Sequence, residues 1–413
     1  MRIAVIGGGI SGVSVARMLH DRDHDVTLFE AHERLGGLVK CDRIEGNLYH
    51  RVGGHVFNTK TPVVQEWFWR HFDRDAEFLK ARRNAKIYLD GRYVGYPIEN
   101  HLYQLPEEKA GRILDELLAI HGESSLTPDD YPHFEAFLRG NFGATLYDLY
   151  FGPYNQKIWR FPLEQVAMAW LDGKLPMPDL PGILRANILR ADEADMVHAT
   201  FYYARTGGSQ FIVDRLVEGV RVRTGTPVTR IERQEEGYRL NDTSTTYDQV
   251  IYCGDVRRLH DYYVNADADL RTALAAVREL RSNGTSNVLC ETDETDLSWL
   301  YLPDPTLRAH RIIYTGNFSA TNNGPGGRPT CVVEFSGQHS EADMYGELAR
   351  LPGNLRPLST NYEANSYVIQ APDTRDRIAA IKRLGEPEGL FLLGRFAEWE
   401  YYNMDKAIEA AIA

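Results

Sequence analysis

The sequence predicts an α/β protein in which a Rossmann-type domain carries an inserted helical bundle and a second, mainly antiparallel β-sheet domain. Three observations predict this fold class. A glycine-rich turn joins an apolar strand to a helix at the N-terminus, helical periodicity dominates from 62 to 171, and strand-like runs alternate with turns over 256–381. A chain of 413 residues is also too long for one simple core, so two or three lobes are expected.

The first element is a compact βαβ unit. Apolar runs predict strands at Arg2–Ile6 and Asp25–Phe29, and helix spacing predicts a helix over Ser11–Leu19 between them. In such a unit the first glycine of the turn permits tight bending, the second lets a pyrophosphate approach the backbone, and the third lets helix and strand pack closely. The turn has the form G-x-G-x-x-G and consists of Gly7, Gly8, Gly9, Ile10, Ser11 and Gly12.

An acidic residue follows this unit at the position that a dinucleotide site requires. Glu30 ends the second predicted strand, where a carboxylate can accept hydrogen bonds from the ribose hydroxyls of an adenosine. A glycine motif alone is weak evidence. Because strand, turn, helix, second strand and acid occur in register, the sequence predicts a dinucleotide site.

The middle of the chain is predicted to be mainly helical. Apolar residues such as Ile113 and Leu117 recur at helix spacing. One interruption, Ala85–Tyr96, has the pattern of a β-hairpin whose turn is Asp90-Gly91. We expect a helical bundle that packs on the first domain.

Prolines, a glycine and charges break the helical pattern over 172–199, which predicts a mobile loop or lid. Beyond it the sequence predicts a helix at Ser209–Val217. Two strands, Pro227–Ile231 and Gln249–Tyr252, are expected to return to the first sheet. Val228, in the first of these strands, is a candidate cofactor contact.

The remaining elements are a second sheet and a C-terminal strand and helix. The runs His310–Tyr314 and Thr330–Phe335 are β-rich, Leu390–Leu393 is a short apolar strand, and a helix with an apolar stripe begins at Met404. We predict a cofactor domain of 1–60, 207–255 and 386–413, a helical bundle of 100–172, and a sheet domain for the substrate. That sheet domain comprises 61–99, 173–206 and 256–385, with the candidate lid at 172–199.

Composition and charge exclude several classes of function. A net charge of −12 disfavours nucleic acid, which binds through clustered cations. The sequence contains no apolar stretch long enough to span a membrane and no signal-peptide pattern at its N-terminus, so a cytoplasmic protein is expected. The cysteines lie far apart and suggest neither a zinc site nor a disulfide framework. They are Cys41, Cys253, Cys290 and Cys331.

A second glycine motif identifies the expected dinucleotide. The segment Glu30-Ala31-His32-Glu33-Arg34-Leu35-Gly36-Gly37 resembles the motif of the flavoprotein class that includes amine oxidases, protoporphyrinogen oxidase and UDP-galactopyranose mutase. Leu393-Gly394-Arg395 and then Met404-Asp405 resemble the C-terminal half of the same site. The resemblance implies that FAD is the cofactor. It places Arg34 at the pyrophosphate and the other residues along the flavin chain: Gly36, Gly37, Gly394, Arg395 and Met404.

Three further segments resemble one family within this class, the flavin-dependent mutases of nucleotide sugars that include UDP-galactopyranose mutase. Gly53-Gly54-His55-Val56-Phe57-Asn58-Thr59 resembles the stretch beside the flavin ring. Tyr154-Asn155-Gln156-Lys157-Ile158-Trp159 resembles a segment that lines the nucleotide-sugar pocket. The stretch from Gly394 to Asp405, with Tyr401, Tyr402 and Asn403, resembles the C-terminal signature. The segments occur in family order across the chain.

The resemblance implies roles for individual residues. Gly54 and His55 would adjust to the flavin redox state, while Tyr154, Asn155, Trp159 and Tyr401 would contact substrate. Arg281 is the best match to the family's fixed phosphate-binding arginine. The expected catalytic residues are therefore His55, Arg281, Tyr401 and Asn403.

Departures from the family pattern put the particular sugar and nucleotide in doubt. Asn403 stands where the mutases usually carry Asp, and Asn58 stands where bacterial members often carry a second His. The family's mobile-loop arginine has no clean counterpart, with Lys174 and Arg185 as candidate substitutes. The packing interpretation of His55, Tyr154 and Trp159 as ordinary core residues stays open.

The function that this resemblance implies is a pyranose/furanose mutase acting on a nucleotide-activated sugar in cell-surface polysaccharide or glycoside biosynthesis. Reduced FAD would attack the anomeric carbon through N5, giving a flavin-sugar adduct that opens and recloses with a different ring size. NADPH or NADH is the expected reductant, and a homodimer is one expected oligomeric state.

Two alternatives remain at this stage. The first is an FAD-dependent oxidoreductase similar to amine oxidase or protoporphyrinogen oxidase, which shares both flavin motifs and takes a hydride from its substrate. The second is a flavin-binding partner protein without activity, since a fold does not by itself carry a function. Polar aromatic residues in the pocket segments and His55 in its glycine context favour the mutase.

Overall fold

The computed structural model describes residues 1–123, 130–171, 179–190 and 200–413. Helices and strands alternate at both ends of the chain, and the predicted α/β fold class is confirmed. The helices are α1 (Ile10–His20), α2 (Pro62–His71), α3 (Arg74–Glu77), α4 (Glu107–Glu123), α5 (Phe134–Leu146), α6 (Gly152–Trp159), α7 (Leu180–Leu189), α8 (Gly208–Leu216), α9 (Val256–Tyr262), α10 (Ala268–Ala276), α11 (Glu341–Leu348), α12 (Thr374–Gly385) and α13 (Met404–Ile412).

The strands form two large sheets and three small ones among the described residues. They are β1 (Arg2–Ile6), β2 (Asp25–Phe29), β3 (Cys41–Ile44), β4 (Asn47–His50), β5 (Phe78–Arg82), β6 (Ala85–Leu89), β7 (Arg92–Gly95), β8 (Thr200–Ala204), β9 (Arg221–Arg223), β10 (Ile231–Gln234), β11 (Gly237–Leu240), β12 (Thr246–Tyr247), β13 (Gln249–Tyr252), β14 (Arg281–Glu291), β15 (Trp299–Tyr301), β16 (Ala309–Ile313), β17 (Thr330–Ser336), β18 (Arg356–Ile369) and β19 (Leu390–Leu392).

The first sheet is parallel and has the strand order β19-β13-β1-β2-β9. Its central strands are buried along almost their whole length, as expected of a parallel sheet covered by helices. On one face, Val13 of α1 and Ile408 of α13 share a core cluster with Leu28 of β2. This sheet therefore brings the N-terminal glycine turn and the C-terminal helix together.

The predicted strand Pro227–Ile231 is wrong. Arg221–Arg223 supplies the edge strand beside β2, and Ile231 begins a separate antiparallel sheet of order β10-β11-β12. Pro227 has no N–H to donate to a ladder. The N–H groups of Thr229 and Arg230 donate to the Asn241 side chain at 3.0 and 3.3 Å. These hydrogen bonds hold the segment as a loop.

The second sheet has the order β18-β14-β17-β16-β15-β6-β7 and is antiparallel except between β15 and β6. The predicted hairpin within Ala85–Tyr96 is confirmed as β6 and β7. Its turn residues Asp90 and Gly91 have φ of 49° and 77°, the left-handed pair that a tight two-residue hairpin needs.

Helices α4, α5 and α6 form the inserted helical region, with a π-helical turn at Tyr147–Phe151. Ile113 and Leu117 of α4 pack in one core cluster with Phe137 of α5 and with strands of the second sheet. Of the predicted lid, α7 is described, while 172–178, which includes Lys174, and 191–199 lie outside the described residues. The division into a cofactor domain, a helical bundle and a sheet domain stays a prediction.

Two smaller observations concern helices and cysteines. Within the described ranges, none of the helices combines the length and the apolar character that crossing a bilayer would demand. Cys41, Cys290 and Cys331 are buried free thiols, whereas Cys253 is partly exposed.

Candidate active site

The N-terminal glycine turn has the close packing that its motif predicts. Gly7 adopts φ of 111°, a conformation that L side chains rarely adopt, and its N–H donates to the Phe29 carbonyl at 2.8 Å. A Cβ atom on Gly12 would lie 1.8 Å from the Gly7 carbonyl oxygen. Both positions therefore require glycine for the fold itself.

Gly9 is different, because the space beside it is open. A Cβ atom there would find Gly37 Cα at 4.0 Å as its nearest neighbour. Gly9 also caps the eleven-residue helix α1, whose first N–H groups have no helical acceptor. An open space in front of a helix N-terminus suits the pyrophosphate of a dinucleotide.

The residues after β2 surround this space. Glu30 is 8% exposed and accepts hydrogen bonds from Gly8 N–H at 2.7 Å and His32 N–H at 2.9 Å. His32 Nδ1 also lies 2.9 Å from Oε1, so Oε2, which takes the Gly8 N–H, is the oxygen that can accept a further bond from a ribose hydroxyl. Gly36 N–H donates to the Gly8 carbonyl at 2.8 Å, which ties the second glycine motif to the first.

Arg34 lies in an ion pair with Asp42, and its side chain is 44% exposed. Gly37 begins a short helical turn that ends at Val39. Val228 is buried in a cluster with Phe29 on the first sheet. The cofactor-binding roles assigned to Arg34, Gly37 and Val228 stay predictions.

The C-terminal signature reaches the same helix end. A Cβ on Gly394 would lie 2.4 Å from Ser11 Oγ, which places the turn after β19 directly against the start of α1. Arg395 donates to the Ser366 carbonyl at 2.8 Å and to the Tyr402 carbonyl. Its guanidinium also lies 4.7 Å from the centre of the Tyr401 ring.

Met404 is buried and begins α13, while Asn403 is exposed and occupies the N-cap position without a side-chain capping bond. Together, these observations show that the two flavin motifs and the C-terminal signature converge on one open space. The residues present fit an FAD molecule laid across the N-terminus of α1.

A second group of residues lies around Gly53, Gly54 and His55. A Cβ on Gly54 would lie 2.5 Å from Ile313 of β16, so this loop packs tightly on the second sheet. Burial first and then the charge of Arg395 lower the pKa of His55 to about 3, so the imidazole is neutral at neutral pH. Its Nε2 is buried with no hydrogen-bond partner among the described residues.

Glu334 connects this loop to an arginine on the neighbouring strand. Its fully buried carboxylate accepts the Gly53 N–H at 2.7 Å and pairs with Arg311. Burial alone would raise the pKa of Glu334, but the Arg311 charge and the His310 hydrogen bond outweigh it and hold the pKa well below its usual range. Glu334 is therefore an anion that positions both the loop and the guanidinium.

Arg311 is mostly buried, with 22% of its side chain exposed. Besides Glu334, it donates to the Tyr367 hydroxyl at 3.3 Å. Tyr367 stacks on Tyr401 with ring centres 5.8 Å apart. Arg311 contacts Tyr367 and Arg395 lies over Tyr401. Two guanidinium groups therefore flank this stacked pair of tyrosines.

Further buried aromatic side chains pack around this tyrosine pair in one core cluster. Trp159 lies 6.2 Å from both Tyr367 and Tyr401 between ring centres. Tyr154 contacts Tyr301 edge to face at 5.4 Å. Rings of this kind combine flat apolar faces with hydroxyl groups, a surface suited to sugars and nucleobases.

The structure brings most of the sequence-predicted site residues together, but not all of them. Tyr154 and Trp159 lie in one core cluster against which Tyr401 packs. Arg395 lies over Tyr401, and its charge helps to lower the pKa of His55. Asn155 is turned toward its own helix and donates to the Phe151 carbonyl at 2.8 Å.

Arg281 lies on the protein surface. It is exposed at the start of β14, with its guanidinium 5.3 Å from the Phe161 ring. Arg185, a candidate substitute for the mobile-loop arginine, is exposed on α7. Both assignments to the phosphates stay predictions.

Sequence analysis missed Arg311, Glu334, Tyr301 and Tyr367. One signal was present: Arg311 and Glu334 each interrupt a run of buried apolar strand residues. A charge inside such a run requires a partner, and two opposite charges in adjacent strands could have been paired. The register of β16 and β17 places them opposite each other.

Comparisons with known proteins agree with this geometry. A family model described as flavin containing amine oxidoreductase matches residues 10–350. UDP-galactopyranose mutase from Mycoplasma pneumoniae is 26% identical over 278 residues, covering 62% of this chain and 63% of that protein. L-amino-acid oxidase BmooLAAO-I from Bothrops moojeni is 37% identical over 169 residues, covering 36% of this chain and 34% of that protein.

A crystal structure of reduced UDP-galactopyranose mutase superimposes with a TM-score of 0.87 at 21% identity, covering 99% of this chain and 94% of that one. This likeness shows the shared fold. In sequence, the chain matches less than two thirds of the length of either curated relative.

Proposed function

The chain belongs to the flavin containing amine oxidoreductase family, and from this premise we propose that it is an FAD-dependent pyranose/furanose mutase of a nucleotide-activated sugar. The observation that carries the proposal is the cluster of aromatic and charged side chains around Tyr401. It combines two guanidinium groups with stacked tyrosines and a tryptophan. The mutase relative and the similar fold of the reduced mutase support the same reaction class.

The cofactor would be held by the space at the start of α1. Backbone N–H groups of α1 would bind the pyrophosphate, Glu30 would accept the ribose hydroxyls, and Gly36, Gly37 and Gly394 would let the backbone approach. Reduced FAD supplies a nucleophilic nitrogen, N5, when it is bound.

The pocket would hold the nucleotide sugar by its diphosphate. Arg311 is the stronger candidate for this contact because a largely buried guanidinium meets an anion with less competition from water. Glu334 fixes its orientation. Arg281 at the outer side, together with the Tyr154 and Tyr401 hydroxyls, would add contacts at the entrance.

The reaction needs positioning more than proton transfer. The leaving diphosphate must stay bound while the sugar ring opens, so that it can return to the anomeric carbon. The charges of Arg311 and Arg395 would retain it, and the aromatic rings would hold the sugar and base in place. His55 is neutral, so it adds no competing positive charge to the pocket.

The direct test is conversion of a nucleotide sugar into an isomer of equal mass. The protein is reduced with dithionite and incubated anaerobically with UDP-galactose, UDP-galactofuranose, dTDP-fucose and other nucleotide sugars. The expected result is an isomeric product in at least one reaction. If every compound that reacts is oxidised by loss of a hydride and no isomer forms, the proposal is contradicted.

Turnover is expected to require reduced flavin but to consume no stoichiometric reductant, because ring isomerisation is redox neutral. One equivalent of dithionite per flavin should support many turnovers in the absence of oxygen. NADPH and NADH are the proposed physiological reductants. The measurement is product formed per electron pair added; a ratio near one, or full activity of the oxidised enzyme, would contradict this prediction.

FAD is expected to be bound without a covalent link. The Cys41 thiol is buried and contacts Ser209 Oγ and the Val39 carbonyl oxygen, and the sequence places no Cys or His in a recognised flavinylation motif. Denaturing the purified yellow protein with acid should release FAD into the supernatant, identified by its mass. FMN in the supernatant, or yellow colour in the precipitate, is the opposing outcome.

A second candidate function is an oxidoreductase similar to the amine oxidases. The match to an L-amino-acid oxidase favours it. In addition, the Arg311 guanidinium could bind the carboxylate of an amino acid as well as a diphosphate. The two functions differ in electron flow. Stoichiometric flavin reduction by an amine or amino acid, without added reductant, would establish the oxidase.

A further inference from the structure

Lys40 lies between the second glycine motif and β3, and neither the fold nor the site described above uses its charge. Its side chain is half-buried, and its ammonium group forms no hydrogen bond or ion pair among the described residues. An ammonium group has three donors, and its partial removal from water costs free energy unless a partner replaces the water. The position of this side chain therefore requires an explanation.

The backbone of Lys40 is fixed beside the glycine motifs. Its N–H donates to the Gly37 carbonyl oxygen at 3.4 Å, and its own carbonyl oxygen accepts the Arg51 N–H at 3.1 Å. Gly37 in turn packs on the first motif, since a Cβ atom added to it would lie 3.1 Å from Gly9 Cα. Lys40 is therefore held next to the segment that contacts the start of α1.

The ammonium group lies among charges from the same part of the molecule. Burial has the largest effect and lowers the pKa of Lys40, the Glu30 carboxylate opposes this effect, and the Arg34 and Arg51 guanidinium groups lower the pKa further. Among the charged groups Glu30 has the strongest influence. Because Glu30 is the carboxylate proposed to bind the ribose, the ammonium group lies on the side of the molecule proposed for the dinucleotide.

The two arginines near Lys40 already have a partner. Arg34 pairs with one carboxylate oxygen of Asp42, and Arg51 pairs with the other at 3.1 Å. The two arginine side chains are 44% and 45% exposed. Of these three cations, Lys40 is thus the one without an anionic partner among the described residues.

We propose that Lys40 binds the pyrophosphate of FAD, together with the backbone N–H groups at the start of α1. A half-buried ammonium group gains more from an anion than an exposed one, because less water competes for it. Resemblance to the flavoproteins assigns this contact to Arg34, which in this chain pairs with Asp42 at the surface. The inference rests on the proposed function, since it names a residue that binds the cofactor of the same site.

The test measures how tightly the purified holoprotein retains FAD, from the flavin released at a series of dilutions. Lys40→Met removes the ammonium group and keeps a long side chain, and the Kd for FAD should rise by at least about tenfold. Lys80→Met is the matched control, because Lys80 is exposed on β5 and its replacement changes the net charge equally. This control should retain FAD as the wild-type protein does.

Lys40→Arg distinguishes a contact with phosphate from a role in packing. It keeps the charge and should retain FAD within about threefold of the wild-type protein. Added salt should weaken FAD binding more in the wild-type protein and in Lys40→Arg than in Lys40→Met, because only the first two have a cation at this position for salt to screen. If Lys40→Arg loses FAD as Lys40→Met does, with the same salt dependence, the role of Lys40 is structural.

Acetylation of lysines gives a measurement that does not depend on affinity. Lys40 should be protected from acetylation in the wild-type holoprotein and labelled after FAD has been removed with concentrated potassium bromide, as read by peptide mass spectrometry. Lys80 should be labelled equally in both. Equal labelling of Lys40 in both states would contradict the proposed contact, and this result decides the question if Lys40→Met does not fold.

The outcomes separate the inference from the proposed function. If Lys40→Met and Lys80→Met retain FAD equally, Lys40 does not bind the pyrophosphate, and the proposed function stands. A loss of FAD in Arg34→Met with none in Lys40→Met would assign the pyrophosphate to Arg34. If the wild-type protein binds no FAD, the inference and the proposed function fail together.

Discussion

Replacing Arg311 by methionine is expected to weaken nucleotide binding and to lower the free energy of unfolding by about 3–5 kcal/mol. The substitution leaves the Glu334 carboxylate fully buried without its partner. It also removes the guanidinium proposed to hold the diphosphate, and charge-assisted bonds of this kind contribute about 1.5–3 kcal/mol each. UDP affinity should therefore fall by at least about tenfold, as measured by isothermal titration beside thermal unfolding.

A double variant separates the two effects. Arg311→Met/Glu334→Gln removes both charges and keeps an acceptor for the Gly53 N–H, so much of the stability should return. UDP binding should not return. Arg281→Ala is the matched control at an exposed arginine and is expected to remain as stable as wild type. A large loss of UDP affinity in Arg281→Ala, with none in Arg311→Met, would assign the diphosphate to Arg281.

Replacing Gly9 by alanine is expected to give a folded protein that no longer retains FAD. A Cβ at this position meets no protein atom nearer than 4.0 Å, so the fold tolerates it. The same methyl group would occupy the space proposed for the pyrophosphate. FAD affinity should fall by at least about tenfold, and the purified protein should be colourless with an unchanged far-UV circular dichroism spectrum.

Gly12→Ala is the contrasting variant. Its Cβ would lie 1.8 Å from a backbone oxygen, so the strand and helix of the first unit must separate, with loss of stability whether or not FAD is present. If Gly9→Ala keeps a full complement of FAD, the cofactor does not pass over the start of α1.

Local patterns predicted the elements whose causes are local. The first strand, glycine turn and helix follow from a short apolar run and the steric needs of Gly7 and Gly12, and the β6–β7 hairpin follows from Asp90-Gly91. The strand expected at Pro227–Ile231 failed because a side chain from a later turn, Asn241, satisfies its backbone groups. No local pattern contains that information.

The candidate site could likewise be predicted from the sequence only in part. Tyr154, Trp159 and Tyr401 lie in recognisable motifs, and the structure places them together. Arg311 and Glu334 act as a pair only because β16 lies beside β17 in one register. A lone arginine in an apolar strand indicates that a partner is needed, but only the sheet order and register confirm which residue supplies it.

The order of strands in the first sheet has a consequence for how this protein folds. Arg2 N–H donates to the Asp248 side chain, 246 positions away along the chain, and β13 pairs in turn with β19 near the C-terminus. Loop-closure entropy must be overcome before such contacts form, which slows folding and exposes unpaired strand edges in the meantime. During synthesis the ribosome must release β19 and α13 before the first sheet and the helices against it are complete. The cavity at the start of α1, although its glycines are translated first, is thus among the last parts of the molecule to be completed.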